Sequence, residues 1–290
     1  MFKRIIAASF ILSALSACGG GGGGGGSQEP TVTQNRYSQI PTKTVNATFN
    51  SNGSVSGMSS VTDRASGQVA LSYDANSQLY EIQYDKGDSN TLMFSTNSGD
   101  TIDVLNLNEG TVIAAYNSDR SKQILVFTDN NNVSMGTAYE KTGNTGYASV
   151  GHGGNETTID PSTVVNSATY KGVLAGMLAE TGFSAIYTVG SVSANANFNN
   201  RTMVVTASGV RGLTLDGTDL GAYSGQNFST TLTDANSDNT FEGSVTDNEG
   251  KTGTLDATLY GGSAEALAGT GHLANGTNTR VHMFTIGANR

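Results

Sequence analysis

Between Phe241 and Leu273 the chain alternates three times between apolar or small residues and polar ones, with a turn after each of the first two runs. Phe241, Gly243 and Val245 alternate with Glu242, Ser244 and Thr246. Gly253, Leu255, Ala257 and Leu259 alternate with Thr252, Thr254, Asp256 and Thr258. A period of two places one set of side chains on each face of a half-buried strand. Asp247-Asn248-Glu249-Gly250 and Gly261-Gly262-Ser263 supply the turns, and Ala264–Leu273 reads as the third strand. The inward set mixes Gly and Ala with Leu, Val and Phe. A narrow closed barrel needs that mixture, because its strands coil around a small interior. An open sheet or a sandwich shares the period, and alternation alone does not separate the three.

The rest of the chain agrees with this all-β reading. It has no Trp, only three Pro, and much Ser, Thr and Asn, and long amphipathic helices are hard to find. Its 290 residues suffice for about two ordinary domains.

The N-terminus is a processing signal rather than part of the fold. Lys3 and Arg4 precede an apolar run, Ile5–Leu15, that is far short of the ~20 residues a membrane-spanning helix needs. Leu15-Ser16-Ala17-Cys18 then matches the lipobox of bacterial lipoproteins. That resemblance implies cleavage after Ala17 and acylation of Cys18. Cys18 is the only cysteine, so the mature chain has no internal disulfide. Several acyl chains on one residue give a stable membrane anchor. Gly19–Gly26 and Ser27 follow as a flexible tether, and Gly19 after the cysteine fits sorting to the outer membrane.

Removing residues 1–17 takes away two positive charges and no negative ones. This leaves 13 basic against 24 acidic residues, a net of −11. Such a balance argues against a nucleic-acid partner and against electrostatic adsorption to anionic lipid, and is compatible with cationic partners, metal ions or simple solubility.

After the signal (1–17) and the lipidated tether (18–42), the strand signals divide the chain into a β-rich domain over 43–160 and a second domain over 161–290. Ser27–Ile40 reads as extended linker. In the first domain Val69–Tyr73, Leu79–Tyr84, Thr91–Ser95, Thr101–Leu105, Thr111–Tyr116 and Val133–Tyr139 are strand candidates. Ile124–Phe127 is a continuous apolar run, expected to be buried on both faces. Gly143–Asn155, rich in Gly and Asn, reads as a mobile loop. The second domain holds eight candidates: Ala168–Leu178, Gly190–Phe198, Arg201–Ser208, Gln226–Leu232, Thr240–Thr246, Thr252–Leu259, Glu265–Leu273 and Arg280–Ile286. Eight antiparallel strands can close a barrel just filled by its own side chains, and closure removes exposed edges.

Several of these segments carry a resemblance. Ala168-Thr169-Tyr170-Lys171-Gly172 and Ser193–Phe198 resemble barrel strands of the transferrin-binding protein B family, and Phe241-x-Gly243 resembles its next strand start. Leu259-Tyr260-Gly261-Gly262-Ser263-Ala264-Glu265 with Gly269 resembles its aromatic-Tyr-Gly-Pro-x-Ala-Glu turn. Gly262 stands where that turn has Pro, Ala268 where a second Gly is common, and the Phe that usually follows is missing. The chain has one handle and one barrel where the full receptor has two of each. The resemblance implies an N-terminal β-rich handle followed by a C-terminal eight-stranded antiparallel barrel. It also implies a surface-exposed outer-membrane lipoprotein that binds a host protein or a small solute, with a TonB-dependent receptor as a further partner. The matching positions shape the barrel and carry no ligand contact, so specificity is expected in Asn144–Asn155, in Val210–Gly225 or in the first domain.

Three weaker signals bear on chemistry. His152, within Val150-Gly151-His152-Gly153-Gly154, is a candidate haem ligand if it lies on a loop that swings onto iron. Asp234, Asn236 and Asp238 open like a Ca²⁺ loop, D-x-N-x-D, but Asn239 stands where Gly belongs and Val245 where Glu belongs. His272 and His282 fall on the last two strands as potential neighbours across a hairpin. There is no G-x-S-x-G elbow, phosphate loop or dinucleotide fingerprint, so the chain reads as a non-enzyme without a resident cofactor.

Overall fold

The computed structural model describes residues 35–74, 79–85, 91–107, 110–129 and 133–290. The lipobox, Cys18 and the glycine tether lie outside the described residues.

The fold is all-β, a closed eight-stranded antiparallel barrel beside a second sheet. The second sheet is built from β1 (Asn35–Phe49), β2 (Val55–Met58), β3 (Thr62–Asp74), β4 (Leu79–Asp85), β5 (Thr91–Ser95), β6 (Thr101–Leu107), β7 (Gly110–Tyr116), β8 (Lys122–Asp129), β9 (Ser134–Thr142) and β10 (Thr145–Gly153). Its order is β5-β4-β3-β1-β10-β9-β8-β7-β6, with β2 also paired to β1. Leu92 and Phe94 of β5 pack with Ile113, Ile124, Ala138 and Tyr147 from β7 to β10. The sheet is therefore curved enough to bring its edge strand over its own concave face. In β8, Ile124 and Val126 are buried in that concave core, while Leu125 and Phe127 face the barrel and are half-buried. Both faces of the apolar run are thus covered.

The barrel consists of β11 (Ser167–Glu180), β12 (Ile186–Asn197), β13 (Thr202–Leu213), β15 (Phe228–Thr233), β16 (Thr240–Thr246), β17 (Thr252–Tyr260), β18 (Ala266–Ala274) and β19 (Arg280–Asn289). A short β14 (Asp219–Ala222) folds back on β13. The pairing of β12 with β13 closes the circle. All eight expected strands are present. Tyr170, Phe228, Phe241, Leu255, Phe284 and Ile286 meet inside and are at most 3% exposed, so the lumen is filled by protein. Large rings are accommodated by small residues opposite. A Cβ on Gly271 would lie 2.4 Å from Cζ of Phe284.

Two expectations are corrected. Thr145–Gly153, within the segment read as a loop, is β10, paired on both sides by β1 and β9. Its glycines hide the period, yet the ladder needs them: a Cβ on Gly146 would sit 2.3 Å from the carbonyl oxygen of Glu140. Asn35–Ile40, read as linker, belongs to β1 and pairs with β3. Pro41 falls where that register shifts, a position that tolerates a residue without N–H.

The first barrel strand and the turn between β17 and β18 touch each other. The buried Tyr170 hydroxyl donates to the carbonyl oxygen of Ala264 at 2.8 Å. Ala264 is held at φ 57°, inside the turn between β17 and β18. The Ser263 N–H donates to Glu265 Oε2 at 2.9 Å and fixes the same turn.

Two substitutions test this packing. Tyr170→Phe leaves a buried carbonyl unpaired and should cost about 1–3 kcal/mol in chemical denaturation. Gly172→Ala places a Cβ 1.9 Å from the carbonyl oxygen of Gly287 and 2.5 Å from Cα of Ala288. Backbone must move, so it should cost about 1–3 kcal/mol or more, whereas Gly276→Ala, with nothing within 4 Å, should be near neutral.

Candidate functional site

The convex face of the sheet lies against the barrel wall, and the seam between them is where the chain's unusual side chains gather. Residues pointing one way from β1, β9 and β10 meet residues pointing outward from β11 and β19. Val45, Ala47, Phe49, Tyr139, Ala148 and Val150 pack on Met177, Ala179, Val281 and Met283. Met135 continues the contact onto Val173 and Ala175, and Val133 onto Tyr260, Ala266 and Ala268. At one end the barrel's β11–β12 turn grips β2. Val55 N–H donates to Phe183 O at 2.8 Å, and Gly182 N–H donates to Val55 O at 2.7 Å.

The inner seam also holds a buried cation. Lys43 of β1 is 3% exposed, and its ammonium contacts Asp63 Oδ1 at 2.8 Å, Asp256 Oδ2 at 2.7 Å and Thr254 Oγ1 at 3.3 Å. Asp63 comes from the sheet and Asp256 from the barrel, so one ammonium joins the two bodies. Burial is the largest influence on Lys43 and lowers its pKa. The two carboxylates together outweigh burial, and the pKa ends above the ordinary 10.5.

His152 lies close to this cation, on β10 rather than on a loop. It is 1% exposed, and its ring meets Tyr260 edge-on at 6.0 Å. Neither ring nitrogen has a hydrogen-bond partner among the described residues. Burial, with the Lys43 charge adding to it, pushes its pKa down to about 3. For His152 to reach haem, the sheet would have to leave the barrel.

The other predicted residues are placed as follows. His282 pairs with Leu273, and His272 with Met283. The register sends His282 into the barrel and His272 outward, so the two histidines are on opposite faces and not neighbours. The Nε2 of His282 is 2.8 Å from Thr188 Oγ1. In the amide orientation that satisfies both of its ends, Gln226 donates to His282 Nδ1 at 3.3 Å and accepts from Lys251 and Arg280. That assigns the neutral Nε2–H tautomer, with Thr188 as acceptor. Burial holds the His282 pKa at about 3.

Asp234 and Asp238 share the β15–β16 turn with Asn236. The Asp234 carboxylate accepts from Arg201 at 2.7 Å and from the N–H groups of Asp238 and Asn239, both at 3.2 Å. Asp238 accepts from the Thr240 N–H at 3.0 Å. The oxygens that a cation would need close the turn instead. Among the described residues, no group of three or more His, Cys, Asp or Glu side chains is placed to hold a metal ion.

Away from Lys43 the seam opens. Where β6 to β8 diverge from the barrel, a cavity of about 450 Å³ is lined by Tyr116, Gln123, Tyr187, Leu213 and Leu215. It meets a second cavity of about 850 Å³ at Arg120, Leu215 and Asp216. Arg120 Nη1 donates to Leu215 O across the seam at 2.8 Å, and its Cζ lies 4.0 Å from the centroid of the Tyr116 ring. Tyr187 donates to Gln123 Oε1 at 3.3 Å on the cavity floor. Of the range Val210–Gly225, Leu213–Asp216 forms the barrel bank of this opening. Sequence reasoning missed Arg120. The only local signal is the turn chemistry of Asn117-Ser118-Asp119.

The buried histidines make stability pH-dependent. Both folded pKa values lie below the free value of 6.5, so the folded chain binds fewer protons than the unfolded one. Stability from this source is complete above about pH 6.5 and falls as pH drops toward about 3. Denaturant midpoints measured at about pH 7.5 and about pH 5 should show a clear loss at the lower value. His152→Leu should reduce that loss and should stabilise the protein by about 1 kcal/mol at the higher value, because it removes an unpartnered buried polar ring.

No protein-family model and no curated protein matches the chain. Among solved structures it is similar to isotype 1 transferrin binding protein B from serogroup B Neisseria meningitidis. The identity is 12% over 79% of this chain and 53% of that one, with a TM-score of 0.43. It is also similar to a double mutant of transferrin binding protein B from Haemophilus parasuis, at 11% identity over 78% and 54% of the two chains and a TM-score of 0.39. The chain spans about half the length of each of these proteins. A likeness of this degree says nothing about a ligand.

Proposed function

We propose that the chain is a lipid-anchored outer-membrane protein that holds its sheet and barrel outside the cell to bind an extracellular ligand, a host protein or a small solute. The observation that carries this reading is the lipobox Leu15-Ser16-Ala17-Cys18 with the glycine run immediately after it. A residue bearing several acyl chains stays in a bilayer, because each buried methylene adds about 0.8 kcal/mol. A glycine-rich tether then lets a folded body stand off the surface without fixing its orientation. The structural contribution is negative charge and a filled lumen. With Tyr170, Phe241 and Phe284 closing the interior, a ligand has to be met on the outer surface or in the seam. Binding on the outer surface or seam of a β scaffold is the role these features support.

The anchoring is tested by metabolic labelling with a palmitate analogue. The parent chain should incorporate the label and Cys18→Ala should not. Protease added to intact cells should then remove the parent chain while a periplasmic control survives; full protection of the chain would reject the surface reading.

A further inference from the structure

The barrel is closed, but the second sheet is not. β5 and β6 are consecutive strands that could form a hairpin, yet among the described residues β5 pairs only with β4 and β6 only with β7. The two start together and then part. At their junction the Ser95 N–H donates to Asp100 Oδ2 at 3.0 Å, and the Asp100 N–H donates to Ser95 O at 3.2 Å. No ladder follows, so the sheet ends in two open edges joined at one end.

The bonds at Ser95 orient the β5 edge. Both backbone groups of Ser95 point toward Asp100, away from its β4 neighbour Glu81. Backbone groups alternate in direction along a strand. Those of Leu92 and Phe94 therefore turn to β4, and the N–H and C=O of Met93 turn to the open side. Leu92 and Phe94 are 1% exposed in the concave core, whereas the Met93 side chain is 62% exposed. Ile102 and Val104 of β6 are only partly buried against the same core. Open edges are usually blunted by lysine, proline or a bulge. Thr91–Ser95 has no charge and no proline, and its pairing with β4 runs without a shift of register. β6 has one Asp and neither Lys nor Pro.

Two observations choose the occupant. Outward N–H and C=O groups on a strand are matched by another extended backbone, and a helix or a compact solute does not match them. Charge then selects among extended chains. Residues 74–109, from the last residue of β3 to the residue before β7, include seven acidic residues and one lysine. That is a net of −6, more than half of the −11 of the mature chain. A second copy would bring the same charge to the contact, and like charges oppose pairing. We propose that the open edge of β5 receives an extended basic segment of a partner protein as an added strand. Its backbone would bond to Met93, and its alternate apolar side chains would cover Ile102 and Val104. The inference names a partner class for the binding reading above and rests on that reading for the partner's extracellular origin. The contact itself needs no lipid anchor.

The test titrates the full chain, purified in detergent, into a fluorescein-labelled heptapeptide of alternating lysine and valine, followed by anisotropy. Saturable binding is expected. The same peptide N-methylated at every residue keeps its charges but donates no backbone hydrogen bond, and should bind about tenfold more weakly or worse. Met93→Pro removes the outward donor. Proline is tolerated where the N–H faces away from the ladder, so circular dichroism should be unchanged while binding weakens about tenfold or more. Phe183→Ser, at an exposed side chain of the β11–β12 turn, should bind as the parent does. Equal binding by a folded Met93→Pro chain overturns the proposal. Equal binding of the N-methylated peptide overturns it whether or not Met93→Pro folds, because charge alone then accounts for the contact. So does equal binding of a peptide with glutamate in place of lysine. A parent chain that sediments as a dimer where Met93→Pro is a monomer overturns it in favour of a second copy. No saturable binding by a chain that passes the palmitate and protease tests overturns the edge contact alone. Peptide binding by a chain that fails those tests overturns the anchoring reading alone.

Discussion

The structure depends on covering one side of the barrel wall. β11 is alternately buried and exposed from Ser167 to Lys171, then buried at every position from Gly172 to Ala179. β19 is buried from Val281 to Ala288, and β18 is nearly so. A barrel strand has an inner and an outer face, so continuous burial means that something packs outside. Left bare, Val173, Ala175, Met177, Ala179, Val281 and Met283 would form an exposed apolar stripe of the kind that drives association. The sheet's β1, β9 and β10 supply the cover. The opposite side of the barrel, β13 to β16, keeps alternating polar residues and stays in contact with solvent.

An apolar cover alone would slide. Lys43 gives the docked position a register, because its ammonium must reach a carboxylate on each body at once. The Asp63 and Asp256 carboxylates stay 70% and 35% exposed, so each pair is screened, but the buried ammonium needs both of them, which makes misaligned docking unfavourable. His152 sits beside this contact and gains nothing from it. Its ring fills space against Tyr260, and its nitrogens stay unpaired, so the seam tolerates it only while it is neutral. The burial that docking imposes on His152, with the Lys43 charge adding to it, is therefore what makes the contact sensitive to acid.

Much of this was legible in the sequence. The barrel strands were, because inward residues repeat every second position and glycine turns separate the runs, as in Thr240–Thr246, which matches its expected bounds. The double-sided run Val173–Ala179 also announces an outer cover once it is placed on a barrel strand. β10 was not legible, because Gly146, Gly151 and Gly153 carry no side chain with which to show the period, although its backbone is paired on both sides. The faces of His272 and His282 turn on a single-residue register, which sequence does not carry. Arg120 was invisible for a different reason. Its backbone angle is imposed by a turn, and its neighbour Leu215 lies 95 residues away in the sequence.

These same constraints limit where such a molecule can recognise anything. The lumen is closed by aromatic rings that need each other, with Phe228 and Phe284 5.1 Å apart, so a change there disturbs the whole wall. The inner seam is locked by Lys43 and by apolar contacts from both bodies. The solvent-facing strands β13, β15 and β16 present alternating polar side chains to water. The diverging end of the seam is different. The sheet and the barrel diverge there, so a half-buried side chain such as Lys141 can vary without loss of the core, whereas Leu213, 4% exposed, belongs to it. A recess formed between docked bodies is shaped by the docking itself, and Arg120 and Tyr187, which bond across it, take part in holding that shape.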